Sequence, residues 1–258
     1  METCKLCLKS VVKLEDSHFL SKGIYRRLRD LTTENPNPML LTPKGALQTS
    51  KQFKTRLLCS ECEQRFSKHG ETWVFARCLQ ADGTFPLAAL LASRPPDVSV
   101  PTTPTRLYYA VGIPEINIEA LTYFAASIFW RGAVHPWNSD GTVPVSLGPF
   151  FEDELRQYLV GFQSFPKDCF SLWVVVREGK AIDRLTYAPA GNRIGKFHSY
   201  RFPMPGFCFM LYVGKNIPDY ISEKCFATGS GNPLVVTSVV EPLLFNEGVA
   251  LWNRGRTA

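Results

Sequence analysis

Two C-x-x-C pairs constrain this chain more than any other feature of its sequence. The pairs are Cys4–Cys7 and Cys59–Cys62, and 51 residues separate them. Two such pairs are the usual ligand set of a tetrahedral Zn(II) site, in which each pair occupies a tight turn and directs its thiolates at one ion. We therefore predict a structural zinc site that fastens together the two ends of a long insert and supplies folding energy.

The alternative use of paired cysteines is a disulfide framework, which belongs to secreted proteins. The chain begins Met-Glu-Thr-Cys and shows no basic region followed by an apolar stretch, so no secretory signal is expected. We expect a cytoplasmic, reducing location, and therefore zinc rather than disulfides. No apolar run approaches the ~20 residues of a membrane-spanning helix, so no membrane partner is expected. The remaining cysteines stand singly in apolar surroundings and are expected to be small buried residues: Cys78, Cys169, Cys208 and Cys225.

The positive charge is concentrated in the first third of the chain. The net charge is +6; residues 1–80 contain 14 Lys and Arg against 8 Asp and Glu, whereas residues 81–258 contain 15 of each. This asymmetry indicates a polyanionic partner, such as nucleic acid, for residues 1–80. A basic surface that is merely solvated gives the same count, and charge alone does not separate the two.

The insert and the segment after it have a readable order of elements. A strand is predicted from Val11 to His18, a basic helix from Gly23 to Leu31 and a loop from Asn35 to Pro38. A second strand leads up to Leu58, and a last helix begins at Ser60. Ser60-x-x-Glu63 fits a capping box at the start of the last helix. On that helix Phe66, His69 and Trp73 share one face.

This order resembles the HNH (ββα-metal) endonuclease family, and in particular a zinc-stapled bacterial branch with the pattern C-x-x-C…S-H…L-L-C-x-x-C-E. The matching segments are Ser17 to Lys22 and Leu57 to Lys68, so the resemblance covers residues 1–80. It implies a metal-dependent endonuclease that cleaves phosphodiester bonds in DNA or RNA, with a role in bacterial defence against phage. In such enzymes a histidine deprotonates the attacking water while a divalent ion polarises the phosphate.

The resemblance assigns roles to particular residues. Cys4, Cys7, Cys59 and Cys62 match the zinc ligands. His18 matches the general base. His69, with Glu71 as an alternative oxygen ligand, matches the helical ligand of a catalytic Mg(II) or Mn(II) ion. A basic cluster directly after His18 is suited to contact phosphates: Lys22, Arg26, Arg27 and Arg29.

Two family positions are not matched, and they keep a second hypothesis open. Ser17 stands where the family has an acidic metal ligand, and Asp16, one residue earlier on a strand, points to the other face. Residues 53–56 contain no counterpart of the family's asparagine. The alternative is a catalytically degenerate HNH-fold zinc module that binds nucleic acid or a partner protein without cutting. A third hypothesis is a zinc-stapled interaction subunit of a larger complex.

The rest of the chain predicts a second unit. A Pro/Thr-rich segment within residues 92–105 separates a module over 1–92 from an α+β domain over 105–258. Helices precede strands in this domain, which favours a mainly antiparallel sheet. The predicted helices cover 116–131 and 149–162, the predicted strands cover 170–176, 184–187, 207–213 and 234–240, and a basic turn covers 191–196.

The second unit carries no motif for catalysis. His135 and His198 have no motif partner, and we expect structural roles for both. The domain is neutral and rich in aromatic residues, which suits a buried core, a ligand site or a protein partner bound by residues 105–258.

Overall fold

The structure is a computed structural model that describes residues 1–42, 45–48, 52–137, 141–178, 184–240, 242–244, 246 and 249–250. The strands are β1 (Glu2–Thr3), β2 (Ser10–Val11), β3 (Glu15–His18), β4 (Met39–Thr42), β5 (Gly45–Gln48), β6 (Lys54–Leu58), β7 (Val98–Val100), β8 (Thr105–Tyr109), β9 (Phe170–Arg177), β10 (Ala190–Ile194), β11 (Phe197–Met204), β12 (Phe207–Val213) and β13 (Pro233–Thr237). The helices are α1 (Lys22–Arg27), α2 (Ser60–Phe66), α3 (Thr72–Arg77), α4 (Pro86–Ala92), α5 (Ile118–Val134), α6 (Pro149–Val160) and α7 (Asp219–Ser222). No helix among the described residues is both long enough and apolar enough to span a membrane.

One large sheet dominates the second half of the chain. Its strand order over the described residues is β10-β11-β12-β9-β13-β8-β7, and every pairing is antiparallel except that of β13 with β9. Nearly every residue of β9 and β12 is buried, so both faces of these central strands are covered. The predicted α+β class with a mainly antiparallel sheet is confirmed. We call this the main sheet.

Helix α5 is the central buried element, as its apolar composition predicts. Its first turn is capped by Asn117, whose Oδ1 accepts a hydrogen bond from the Ala120 amide at 2.8 Å. One side of α5 faces the main sheet, where the rings of Phe124 and Phe209 lie 5.6 Å apart. The same Phe124 ring lies 5.6 Å from the ring of Phe75 in α3. The helix therefore contacts both the main sheet and the N-terminal helices.

The N-terminal part is built from short elements. β1 pairs with β2, and β3 pairs antiparallel with β6 so that His18 lies opposite Lys54. Helix α2 follows directly after Cys59, and a π-helical turn, Ser67–Glu71, joins it to α3. The strands leading to His18 and Leu58 and the helix from Ser60 are thus confirmed. The basic helix is shorter than predicted and ends at Arg27 instead of Leu31.

Three local predictions are wrong. The capping box fails because the helix N-cap is Cys59, which makes no side-chain capping bond. Residues 184–187 are not a strand; Arg184 instead donates hydrogen bonds to backbone carbonyls of the N-terminal part. Of the predicted turn over 191–196, only Gly195 and Lys196 turn the chain, because the preceding residues belong to β10. Gly195 has a φ of +59°, which suits this tight hairpin.

One large apolar core runs through both halves of the chain. It includes Leu6, Ile24 and Phe66 from the N-terminal part and continues through α5 into the main sheet. β7 lies inside the segment predicted to be a linker and forms an edge of the main sheet. The division into units at residues 92–105 stays a prediction.

Candidate functional site

The first C-x-x-C pair lies in a tight turn between β1 and β2. The Cys4 amide donates to the Lys9 carbonyl at 3.0 Å, and the Leu8 amide donates to the Cys4 carbonyl at 2.9 Å. Leu8 adopts a left-handed conformation with a φ of 61°, which closes the turn. The Lys5 amide donates to the Leu57 carbonyl at 3.1 Å and so joins this turn to the end of β6, beside the second pair.

The four cysteine sulfurs converge on one point. The Sγ atoms of Cys4, Cys7, Cys59 and Cys62 all lie within 4.8 Å of one another. The Cys7 and Cys59 sulfurs are 3.9 Å apart, and thiolates around a tetrahedral ion with bonds of ~2.3 Å are separated by about 3.8 Å. The Cys59 amide also donates to the Cys4 sulfur at 3.4 Å. We call this set the four-cysteine cluster; it could hold a metal ion, as the sequence predicted.

The electrostatics of the cluster favour a bound cation. The hydrogen bond between the Cys62 thiol and the Cys4 sulfur lowers the pKa of Cys4 to about 4 and raises the pKa of Cys62. Burial raises the pKa of Cys7. Four thiolates at this spacing repel one another, so the fully deprotonated set requires a positive charge at its centre.

The isolated cysteines behave differently. Cys78, Cys169, Cys208 and Cys225 are buried, as predicted. Burial raises the pKa of Cys78 and that of Cys169 to about 11, so both thiols are neutral at pH 7. Within the described part of the chain, the four-cysteine cluster is the only group of three or more potential ligands close enough to bind one ion.

His18 lies half-buried at the end of β3. Its side chain makes no hydrogen bond or ion pair with another described residue. The neighbouring Ser17 is fully buried, and its hydroxyl accepts a hydrogen bond from the Leu58 amide at 3.2 Å. Asp16 is exposed and pairs with Lys54 at 2.6 Å. Ser17 and Asp16 are therefore both engaged within the β3–β6 pair, and neither is a free ligand beside His18.

The predicted basic cluster divides into two groups. Lys22, Arg26 and Arg29 are exposed and make no ion pair with a described carboxylate. Arg27 is turned inward instead. Its Nε donates to the Phe75 carbonyl at 2.8 Å and its Nη1 to the Gly23 carbonyl at 3.1 Å. Lys22 and Arg26 are four residues apart and share a helix face, whereas the Arg27 side chain is bonded to a backbone carbonyl of α3.

His69 and Glu71, predicted as alternative ligands of one ion, lie in different surroundings. His69 is exposed, and its ring centre lies 5.3 Å from that of Tyr123 in an open cleft. Glu71 has a side chain only 15% exposed, and its Oε1 lies 3.1 Å from Nη1 of Arg131. The two residues are two positions apart in the chain, and such residues point to different sides of a helix.

Arg131 is the residue that sequence reasoning missed. Its side chain is 1% exposed, and its guanidinium lies 4.5 Å from the centre of the Phe66 ring. Besides Glu71, it has Glu63 as a partner, whose Oε2 lies 3.9 Å from Nη2. A charged side chain is almost never fully buried unless it is paired. The available signal was an arginine near the end of the largely apolar helix α5. An arginine buried with such a helix predicts a carboxylate partner.

Gly70 allows α5 to approach closely enough for this pairing. A Cβ atom at Gly70 would lie 2.9 Å from the Phe124 backbone nitrogen and 3.0 Å from its Cα. The glycine sits inside the π-helical turn, between His69 and Glu71. Close packing of the two helices thus sets the depth at which Glu71 meets Arg131.

The two other histidines have structural surroundings. The ring of His135 packs against that of Trp137, with centres 4.7 Å apart, and burial lowers the pKa of His135. His198 lies on β11, and its ring stacks parallel to that of Tyr200, 6.0 Å away. Neither approaches the four-cysteine cluster closely enough to belong to its ligand set.

Among the described residues, the arrangement offers one cluster that could hold a metal ion and, beside the half-buried His18, an exposed basic surface. A divalent ion with carboxylate or imidazole ligands would have to be assembled from groups that are dispersed or already paired. No protein-family model matches the chain, and neither a curated protein nor a solved structure matches it. The HNH resemblance therefore rests on the residues of this chain alone and stays a prediction.

Proposed function

We propose that residues 1–80 form a zinc-stapled module that binds nucleic acid and does not cut it. The observation that carries the proposal is the exposed set Lys22, Arg26 and Arg29, which we call the basic face. None of its members pairs with a described carboxylate, so their charge is available to phosphates. The excess of basic residues in this part of the chain supports the same partner.

Zinc is the ion that best suits the four-cysteine cluster. Four thiolates in tetrahedral reach of one another are typical of structural zinc, and they leave no coordination position open for a substrate. The cluster sits where the turn after β1 meets the end of β6, so an ion there would hold His18 and the basic face on a fixed base. Its role would be structural rather than catalytic.

The state of the carboxylates supports binding without cutting. Glu71 is paired with the buried Arg131, and Glu63 flanks the same guanidinium. The guanidinium supplies the positive charge that these carboxylates would otherwise take from a divalent ion. Asp16 is paired with Lys54 on the outer side of β3.

A salt titration of nucleic-acid binding tests the proposal. Wild type is compared with the triple variant Lys22→Gln, Arg26→Gln, Arg29→Gln on duplex DNA and duplex RNA. Each lost phosphate contact reduces the slope of log K against log salt by about 0.9 for B-DNA, so the variant is expected to lose about 2.7 of the slope on duplex DNA and to bind both duplexes more weakly. The matched control is Arg193→Gln, Lys196→Gln, Lys224→Gln, three exposed residues of the second half. Equal slopes for the basic-face variant and wild type would refute the proposal.

The endonuclease is the second candidate, and the position of His18 favours it. The imidazole is half-buried, lacks a partner among the described side chains, and stands four residues before Lys22. Incubation with Mg(II) or Mn(II) and plasmid or single-stranded substrates, beside His18→Ala, separates the candidates. We expect binding without cleavage for both proteins. Cleavage by wild type that His18→Ala abolishes would replace the binding module with the nuclease.

A further inference from the structure

A large cleft runs between the N-terminal helices and the second half of the chain. It has a volume of about 1230 Å³ and is open to solvent. One wall is formed by α2, the π-helical turn and α3; the other is formed by α6 and the segment leading into β9, and the start of α5 also lines it. Pockets that enclose one drug-sized molecule measure about 300–1,000 Å³, so this cleft suits a longer ligand.

Cationic side chains face this cleft from both walls. Arg65 and Lys68 come from the N-terminal helices, and Lys167 and Lys215 from the opposite wall. None of the four makes an ion pair with a described carboxylate. Three carboxylates also line the cleft, Glu119, Glu154 and Asp168. The ligand must therefore offer anionic groups to both walls and also carry hydrogen-bond donors.

Aromatic rings lie between the cations. Phe150 is 53% exposed, and the Lys215 ammonium lies 5.2 Å from the centre of its ring. Trp73 and Tyr158 are half-buried and line the same cleft. Phe162, 78% exposed, lies between Gly161 and Gln163, which both line it. Exposed rings interleaved with unpaired cations are the composition of surfaces that stack bases and neutralise a phosphate backbone.

We propose that this cleft binds a single-stranded segment of nucleic acid. The cations of the two walls contact phosphates, Phe150 and its neighbours stack on bases, and the carboxylates accept hydrogen bonds from exocyclic amino groups of bases. The proposal deepens the proposed function, because it rests on nucleic acid as the partner and adds the single-stranded form. Stacking needs bases that are not paired, which is why an open aromatic cleft favours a single strand over a duplex.

The cleft and the basic face are distinct surfaces. Trp73 lines the cleft, whereas Phe75, two residues later and therefore on roughly the opposite side of α3, contacts α1 at Gly23. Residues of the cleft can thus be changed without touching Lys22, Arg26 or Arg29. This separation makes the two proposals independently testable.

The test measures binding of fluorescent single-stranded DNA and RNA of about 12 nucleotides, within the site size of single-strand binders. The variant Lys68→Gln, Lys167→Gln, Lys215→Gln is expected to lose about 2 of the single-strand salt slope, at about 0.7 per contact. Phe150→Ala is expected to bind about 5- to 150-fold more weakly, as the loss of one stacked base predicts. Tyr220→Ala, which removes an equally exposed ring outside the cleft, is the matched control and should bind like wild type.

Three outcomes would overturn the inference. The first is wild type that does not bind single strands. The second is a cleft variant, shown by thermal melting to be folded, that binds them with wild-type affinity. The third is a mononucleotide that binds as tightly as the oligonucleotide, which would identify a nucleotide pocket instead. Duplex binding by the cleft variants separates the two proposals: it should match wild type, whereas the basic-face variant loses it.

Discussion

The N-terminal part and the main sheet reach their order by different means. The strands that pair around the four-cysteine cluster are two to five residues long, and the helices there are six or seven. The central strands of the main sheet have seven or eight residues and are buried on both faces. Short elements bury too little apolar surface to fix their own geometry. We therefore expect the geometry of the first region to depend more on its sulfur cluster than that of the main sheet does, although one apolar core runs through both.

Loss of the proposed zinc should produce the largest effect and break the first region selectively. Cys59→Ser removes one of four ligands, and structural zinc supplies about 10–16 kcal/mol to isolated zinc-binding peptides. Even half of that exceeds the ~2–5 kcal/mol cost of truncating a single large core side chain. We expect the variant to lose its zinc, measured by metal analysis, and to be cleaved by protease within residues 1–80 before the main sheet is cleaved.

Cys78→Ser is the matched control for this experiment, because Cys78 is a buried thiol of the same region outside the cluster. It should retain about one zinc per chain. A Cys59→Ser protein with full zinc content and unchanged protease resistance would show that the cluster does not hold the region together.

Truncation in the main sheet should produce the next largest effect and leave the proposed zinc in place. Phe209 is fully buried and packs against Phe202, Phe207 and Phe124. Phe209→Ala should lower the free energy of unfolding by about 3–5 kcal/mol, measured by urea denaturation. Phe162→Ala, at an exposed ring, should change it by less than about 0.5 kcal/mol. If the Phe209→Ala variant also lost its zinc, the two regions would unfold as one.

The two regions also differ in how well the sequence predicted them. The cysteine cluster, the strand ending at His18, the helix after Cys59 and the buried helix α5 were predictable, because each leaves a local spacing or periodicity in the chain. The strands β8 and β10 were missed. β10 is half exposed and reads as a turn, and β8 lies next to a Pro/Thr-rich segment, so only pairing with distant strands makes them regular.

The candidate site shows the same limit. Sequence reasoning offered His69 and Glu71 as alternative ligands of one ion, although residues two positions apart point to different sides of a helix. The π-helical turn at Ser67–Glu71, where Gly70 packs against the backbone of Phe124, was not predicted, because no local motif marks it. The inward orientation of the Arg27 side chain likewise depends on its hydrogen bond to the carbonyl of Phe75, 48 residues away. Long-range contacts of this kind leave no recognisable spacing pattern in the sequence.

Breaking the ion pair between Arg131 and Glu71 should produce the third largest effect. Arg131→Met keeps an unbranched side chain but leaves Glu71 and Glu63 without the guanidinium, and breaking a buried pair costs about 3–5 kcal/mol. We expect the lower end, about 3 kcal/mol in urea denaturation, because Glu71 retains some exposure to water. Arg131→Met with Glu71→Gln should cost less than the two single variants combined, since the double variant leaves only the more exposed Glu63 without a partner. Additive costs would mean that the two groups do not interact.

The smallest expected effect decides how tightly the two regions are coupled. Gly70→Ala places a methyl group about 3 Å from the backbone of Phe124, so either α5 or the π-helical turn must shift. Overpacking of this kind costs about 1–3 kcal/mol, whereas alanine in place of glycine favours a helix by about 1 kcal/mol. We expect a net loss of stability in urea denaturation, because the close atom is backbone and cannot rotate away. Gly112→Ala, where no atom lies within 4 Å of the added methyl group, provides the control for the substitution itself. If Gly70→Ala stabilises the protein instead, α5 moves freely against the N-terminal helices, and the close packing proposed to hold Glu71 on Arg131 is not rigid.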